Sequence, residues 1–157
     1  MKRIKSGDKI LMGTIDANSF NASYNRIPLF DGKFTTGYKV VQFSIVPVAV
    51  TEALEVQSIL ATEPRTASGP RIFDSWHWND VTEVAWAAWN VPNAINGVGF
   101  HEYLRDDSIV IEDLYISAYG SDTSLGYNYK IVLEKYEFAA WDGASILVQN
   151  LSQAGPE

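Results

Sequence analysis

The sequence contains no cysteine and only two histidines among its 157 residues. Without cysteine the chain can form no disulfide, no thiolate nucleophile and no thiolate metal site. The two histidines, His77 and His101, belong to no nucleophile motif and match no zinc spacing. Glycine motifs that cradle phosphate groups are missing as well. We therefore expect a non-enzymatic protein without a metal or another cofactor.

Long apolar runs are also missing. The longest, residues 40–50, is interrupted by Gln42, Ser44 and Pro47, and it is much shorter than the roughly 20 residues of a membrane helix. Near the start of the chain, the apolar stretch at residues 10–12 is too short for the core of a secretion signal. We expect no signal peptide, no membrane insertion and a soluble protein.

Positive charge is scarce, since the formal net charge is −7. The average field therefore repels nucleic acid and anionic membranes. One short segment is an exception, because the first nine residues contain four cations against the single acidic residue Asp8: Lys2, Arg3, Lys5 and Lys9. We interpret residues 1–26 as a basic arm with an irregular lead-in, whose cations contact a neighbouring subunit or a polyanion. A solvated terminus is the alternative.

Acidic residues cluster in the last third of the chain, where their oxygen atoms would suit calcium: Asp106, Asp107, Glu112, Asp113 and Asp122. Their spacing is not that of an EF-hand loop. We interpret them as turn and solubility residues. A pair of carboxylates can also cleave glycosides, but that role depends on a separation in space that the sequence does not give.

Aromatic residues are plentiful, at 13% of the chain, and with many Val, Ile and Thr they favour β-strands. Three segments alternate apolar and polar residues with the period of a half-buried strand. These segments are residues 33–46, 53–62 and 81–90. Loops rich in turn-forming residues, at 63–71 and 92–99, lie between and after them.

Two further strands are predicted over residues 108–119 and 127–138, and the turn-rich segment between them indicates an antiparallel hairpin. Apolar residues at helical spacing then predict a short helix over residues 141–153. The fold class is therefore all-β, with residues 27–157 forming an antiparallel β-sandwich or single jelly roll with a short C-terminal helix. An open α+β sheet covered by the helix is the alternative.

Four of the five tryptophans lie within 14 residues of one another: Trp76, Trp78, Trp86 and Trp89. Trp86 occupies an apolar position of a predicted strand, so we expect it in the core. Trp76, Trp78 and Trp89 flank polar residues. An exposed indole stacks on sugars and bases and anchors protein interfaces. These three are therefore the candidate interface or stacking aromatics, with ordinary packing as the alternative.

Three segments together resemble small β-sandwich or jelly-roll virion structural proteins of phages. They are the basic residues 2–9, the strand pair at 107–115 and 128–134, and the closing helix through residue 153. The resemblance lies in the architecture and not in a motif. It covers about a third of the chain.

The resemblance implies a capsid, vertex or decoration subunit that assembles with itself as a homo-oligomer and with other virion proteins. It also implies a location in the virion or the host cytoplasm, with nucleic acid contacted only through the basic arm. The alternative function is a carbohydrate-binding or other ligand-binding β-sandwich module that uses the exposed tryptophans. That alternative predicts a monomer.

Overall fold

The computed structural model describes residues 4–15, 24–49, 54–65, 76–91, 99–106, 108–120 and 126–152. These residues form eight strands and one helix. In chain order they are β1 (Ile4–Ile15), β2 (Asn25–Ile27), β3 (Thr36–Pro47), β4 (Leu54–Ala61), β5 (Glu83–Val91), β6 (Gly99–Leu104), β7 (Leu114–Gly120), β8 (Tyr127–Glu137) and α1 (Ala140–Ser152). The three half-buried strands predicted from the alternating segments correspond to β3, β4 and β5.

The strands form two antiparallel sheets, one of three strands in the order β1-β8-β3 and one of five in the order β2-β7-β4-β5-β6. Their inner faces share one hydrophobic core. The predicted all-β sandwich with a short C-terminal helix is therefore confirmed.

The core is built from the alternate residues of strands on both sides. Phe43 and Ile131 come from the three-stranded sheet, while Leu60 and Ile116 come from the five-stranded sheet, and all four are fully buried. Burying one such side chain is worth roughly 1.5–3 kcal/mol. This shared core holds the two sheets face to face.

Helix α1 closes a second, smaller cluster at one end of the sandwich, where Ile146 packs with Ile109, Ile111 and Phe138. Gly143 makes this approach possible. A Cβ atom built on Gly143 would lie 1.7 Å from the carbonyl oxygen of Phe34, so the helix is in contact with the backbone there. A glycine that weakens the helix locally is thus required by its packing.

The predicted hairpin is wrong. β7 and β8 belong to different sheets, because β7 pairs with β2 and β4 whereas β8 pairs with β1 and β3. The alternating pattern shows which residues of each strand face the core, but it carries no information about the partner strand. Residues 108–113 precede β7 and are not part of it, and Val110 among them forms an antiparallel bridge with Tyr38 of β3.

The described part of the predicted arm is a regular strand, because residues 4–15 form β1, paired along its length with β8. Asn25 begins the short strand β2, so the lead-in ends in regular structure. Lys2, Arg3 and residues 16–23 lie outside the described residues. The strand is hard to recognise because a bulge between Lys5 and Gly7 breaks its alternation and because most of its side chains are exposed.

Candidate functional site: an aromatic pocket and an open strand edge

A buried carboxylate organises the outer face of the five-stranded sheet. The register between β4 and β5 skips Val84, so that Glu83 and Trp86 both lie on the outer face. Glu83 is fully buried, and its Oε1 accepts hydrogen bonds from the Trp86 indole N–H and the His77 backbone N–H, each at 2.8 Å. Glu83 therefore ties the segment before β5 to the sheet.

The counter-ion of Glu83 is Arg65, which is also buried. Its Nη2 lies 3.3 Å from Glu83 Oε2, and it donates to Thr82 Oγ1 at 2.8 Å. Asp80 Oδ1 in turn accepts from the Thr82 backbone N–H at 3.0 Å and from its hydroxyl at 2.7 Å. Burial lowers the pKa of Arg65, and the charges of Glu83 and Asp80 oppose this. A guanidinium stays charged in proteins, so the group is a buried ion cluster.

Arg105, just after β6, fixes the same segment from the other side. Its Nε donates to the carbonyl of Glu83 at 2.9 Å, and its Nη2 donates to the carbonyls of Trp78 and Asp80 at 2.7 and 3.2 Å. The guanidinium lies 5.4 Å from the ring centre of Trp86, in cation–π contact. Residues 78–83 are thus held on both sides.

An aromatic pocket of 320 Å³ opens above this framework. Its walls are Trp78, Trp86, Tyr103, Leu104 and Arg105. The Trp78 ring lies 5.5 Å from Tyr103 and 5.8 Å from Trp86, with interplanar angles of 49° and 54°. Trp78 is 55% exposed and Tyr103 is 41% exposed. The rings therefore form a concave aromatic surface open to solvent.

Two of the three predicted stacking aromatics, Trp76 and Trp78, contact Tyr103. Trp78 lines the pocket, whereas Trp76 packs edge-on against Tyr103 at 5.7 Å and against the buried cluster of Ile59, Ala61 and Trp86. Trp89 does not join them, because it lies on the opposite face of β5, half-buried against the main core. Trp86 is buried as expected, at the base of the pocket and not in the core between the sheets.

Sequence reasoning missed Tyr103, Arg105 and Glu83. Tyr103 and His101 lie on one face of β6 and stack at 6.4 Å, which the alternation of residues 101–104 would have shown had the strand been recognised. The roles of Arg105 and Glu83 depend on contacts between distant segments. No local pattern signals such contacts.

The second candidate surface is the open edge of β1, which we define as the side of residues 4–15 that faces away from β8. In the part of the chain that the structure describes, β1 pairs with β8 alone. Ile10 is 60% exposed and Met12 is 74% exposed, on the outer face of the sheet. A long strand edge with exposed apolar side chains is a template for pairing with another strand.

The opposite edge of the same sheet is protected. At β3, Tyr38 and Val110 exchange two backbone hydrogen bonds of 2.8 Å, and the Phe43 N–H donates to Glu102 Oε2 at 3.1 Å. A loop and a side chain therefore occupy parts of this edge. β1 has no equivalent cover among the described residues.

Two cations of the predicted arm lie on β1 itself. Lys5 Nζ lies 3.2 Å from Asp8 and 3.4 Å from Glu134, and the hydrogen bond with Asp8 raises the pKa of Lys5 more than any other contact. Lys9 Nζ lies 5.9 Å from the ring centre of Tyr38. Both cations thus contact this chain's own side chains.

No protein-family model matches the chain, and no curated protein or solved structure matches it either. Within the described ranges, no group of three or more His, Cys, Asp or Glu side chains is arranged to hold a metal ion. None of the described helical residues forms a segment long and apolar enough to cross a membrane.

Proposed function

We propose that the protein is a non-enzymatic structural subunit that self-assembles by pairing β1 of one copy with β1 of another. The observation that carries this proposal is the open edge of β1, 12 residues long, with Ile10 and Met12 exposed to solvent. Pairing would satisfy the backbone groups of this edge and bring both side chains into cross-strand contact with the other copy.

The distribution of charge along β1 favours a contact between the two copies in the second half of the strand. Lysines on an edge oppose pairing, and Lys5 and Lys9 both lie in the first half of β1. Residues 10–15 carry no charged side chain. The pairing segment is therefore residues 10–15 together with the residues directly opposite them.

The symmetry of the pair then limits the possible registers. A two-fold axis perpendicular to the sheet keeps every side chain on its own face, so paired residue numbers must have an even sum. With the axis at Leu11, Ile10 of each copy lies opposite Met12 of the other, and Asp8 lies opposite Thr14. No two like charges then face each other. The result is one continuous sheet of six strands.

A phage-like virion is the setting that the sequence resemblance implies for such a subunit, as a capsid, vertex or decoration protein with other virion proteins as partners. The location would be the virion or the host cytoplasm. Lys2 and Arg3 precede β1 in the sequence, and we assign them the contact with a neighbouring subunit or a polyanion.

Light scattering across a concentration series tests the proposal. We expect the mass to rise above the 17.5 kDa of one chain and to fall back to it in the Met12→Lys variant, because a lysine beside the centre of the contact replaces an apolar cross-strand pair and disfavours pairing. Val148→Lys on α1 is the matched control, since Val148 is also exposed and apolar. A wild-type monomer at every concentration, or an equal effect of the two variants, would contradict the proposal.

The absence of cysteine allows the register itself to be tested. When the Ile10→Cys and Met12→Cys variants are mixed and oxidised, we expect a disulfide-linked heterodimer, because these positions face each other across the axis. A disulfide requires Cα atoms closer than about 7 Å. Thr14→Cys mixed with Met12→Cys serves as the mismatched pair. Equal cross-linking of both pairs would contradict the register.

A further inference from the structure

The aromatic pocket lies on the other sheet from β1, so what it does is independent of the proposed assembly. We propose that it is a binding site for a neutral sugar ring, with the carbon face of the ring stacked on the exposed indole of Trp78, beside Tyr103.

The pocket is already formed before any ligand arrives. Glu83 holds Trp86 by its indole N–H, and Arg105 holds the backbone of Trp78 by its carbonyl. In each anchor one partner is charged, since Glu83 accepts and Arg105 donates, and such hydrogen bonds are stronger than neutral ones. A ligand would therefore not bear the entropic cost of ordering these walls.

The size and the shape of the aromatic pocket suit a small ligand. The volume of 320 Å³ is at the small end of the range for pockets that take small molecules, about 300–1,000 Å³. Trp78 and Tyr103 pack against each other at an angle of 49°, so together they present an angled surface and not a flat one. Such a surface suits one ring-sized ligand that stacks on the indole and contacts the phenol at its edge.

The charge of the site favours a neutral ligand. Among the described residues that line the pocket, Arg105 is the one cation, and it already donates to three backbone carbonyls while stacking on Trp86. It is therefore poorly placed to bind an anion. The net charge of −7 also repels phosphorylated and acidic ligands.

Polar groups at the rim suit hydroxyls. Tyr103 presents its phenol at the end of a half-exposed ring, and His101 stacks on that ring with an interplanar angle of 16°. Both side chains are donors and acceptors of hydrogen bonds. A sugar offers both an apolar C–H face for the indole and hydroxyls for this rim.

Calorimetric titration with four neutral hexasaccharides, of glucose, xylose, mannose and N-acetylglucosamine, tests the inference. We expect saturable binding of at least one of them. Trp78→Ala and Tyr103→Ala should each weaken that binding at least about tenfold, which corresponds to 1.4 kcal/mol. Trp141→Ala should leave it unchanged, because Trp141 is an exposed indole on α1, 73% accessible and outside the pocket.

Thermal unfolding of each variant separates binding from folding. The Trp78 side chain is largely exposed and its contact with Arg105 uses the backbone, so Trp78→Ala should remain folded. Failure of all four hexasaccharides to bind would overturn the inference. So would equal binding by the Trp78→Ala variant, or tighter binding of hexagalacturonate or adenosine than of every neutral sugar.

Discussion

The two sheets of the sandwich differ in how they treat their outer faces. The five-stranded sheet is buried on both sides in its middle, where Ile59 and Trp86 face outward and are nonetheless covered. The three-stranded sheet ends in β1, whose outward residues Ile10 and Met12 remain in water. The five-stranded sheet therefore has a buried polar network on its outer face, whereas the three-stranded sheet exposes apolar side chains on its outer face.

The largest loss of stability is expected when Glu83 in the five-stranded sheet is replaced. Replacing it by Ala leaves Arg65 buried without its main counter-ion, and breaking a buried pair in this way costs about 3–5 kcal/mol. Denaturant unfolding would measure the loss. Glu134→Ala is the control on the other sheet, since Glu134 makes a surface ion pair with Lys5, worth roughly 0–1 kcal/mol, and accepts one hydrogen bond from the Tyr136 hydroxyl. Equal losses in the two variants would contradict the distinction.

The next largest loss of stability is expected at Asp113, which links β2 and the residues after it to the start of β7. Its carboxylate accepts hydrogen bonds from the backbone N–H groups of Leu29 and Phe30, at 2.9 and 3.2 Å, and from Arg26 Nε at 2.6 Å. Bonds to a charged group contribute about 1.5–3 kcal/mol. Asp113→Ala should lower the free energy of unfolding by that amount.

The pH dependence of Asp113 provides its control. Burial raises the pKa of this carboxyl, but the bonds from Leu29, Arg26 and Phe30 outweigh burial and hold the pKa below its ordinary value of 3.8. A depressed pKa in the folded state means stabilisation that is present above pH 3.8 and is lost as the pH falls through the lower, folded-state value. The acid-induced part of the loss should therefore be smaller in Asp113→Ala than in the wild type.

A smaller effect is expected where α1 meets the sandwich. Gly143→Ala places a methyl group against the carbonyl of Phe34, and forced overpacking costs about 1–3 kcal/mol. Gly7→Ala is the matched control, because a Cβ at Gly7 in β1 has nothing within 4 Å. Thermal melting of the two variants compares a closed position with an open one. A Gly143 variant as stable as the Gly7 variant would show that the helix shifts without cost.

The smallest effect on stability is expected at the open edge of β1. Met12→Lys changes a side chain that contacts little in one copy, so its free energy of unfolding should stay within about 0.5 kcal/mol of the wild type when measured in the monomer. Its effect should appear in the mass of the assembly alone. A large loss of stability in dilute solution would mean that Met12 contributes to folding and not to association.

What the sequence predicts and what it misses follow from the range of the interactions. The alternation around Phe43 and Ile131 and the helical spacing around Ile146 are local, and they give β3, β8 and α1 correctly. Strand partners are not local, which is why β7 and β8 were joined wrongly. Trp78 is recognised as a stacking candidate from its polar neighbours, whereas Arg105 enters the site from 27 residues away.

The skipped residue Val84 sets the phase of β5. Before it, Glu83 lies on the outer face, and after it Ala85 and Ala87 alternate into the main core. Exchanging one side chain for another leaves this phase intact, whereas deleting one residue from the regular part of β5 after Val84 would move every following side chain to the opposite face of the sheet. The part of β5 after Val84 should therefore tolerate substitutions far better than deletions.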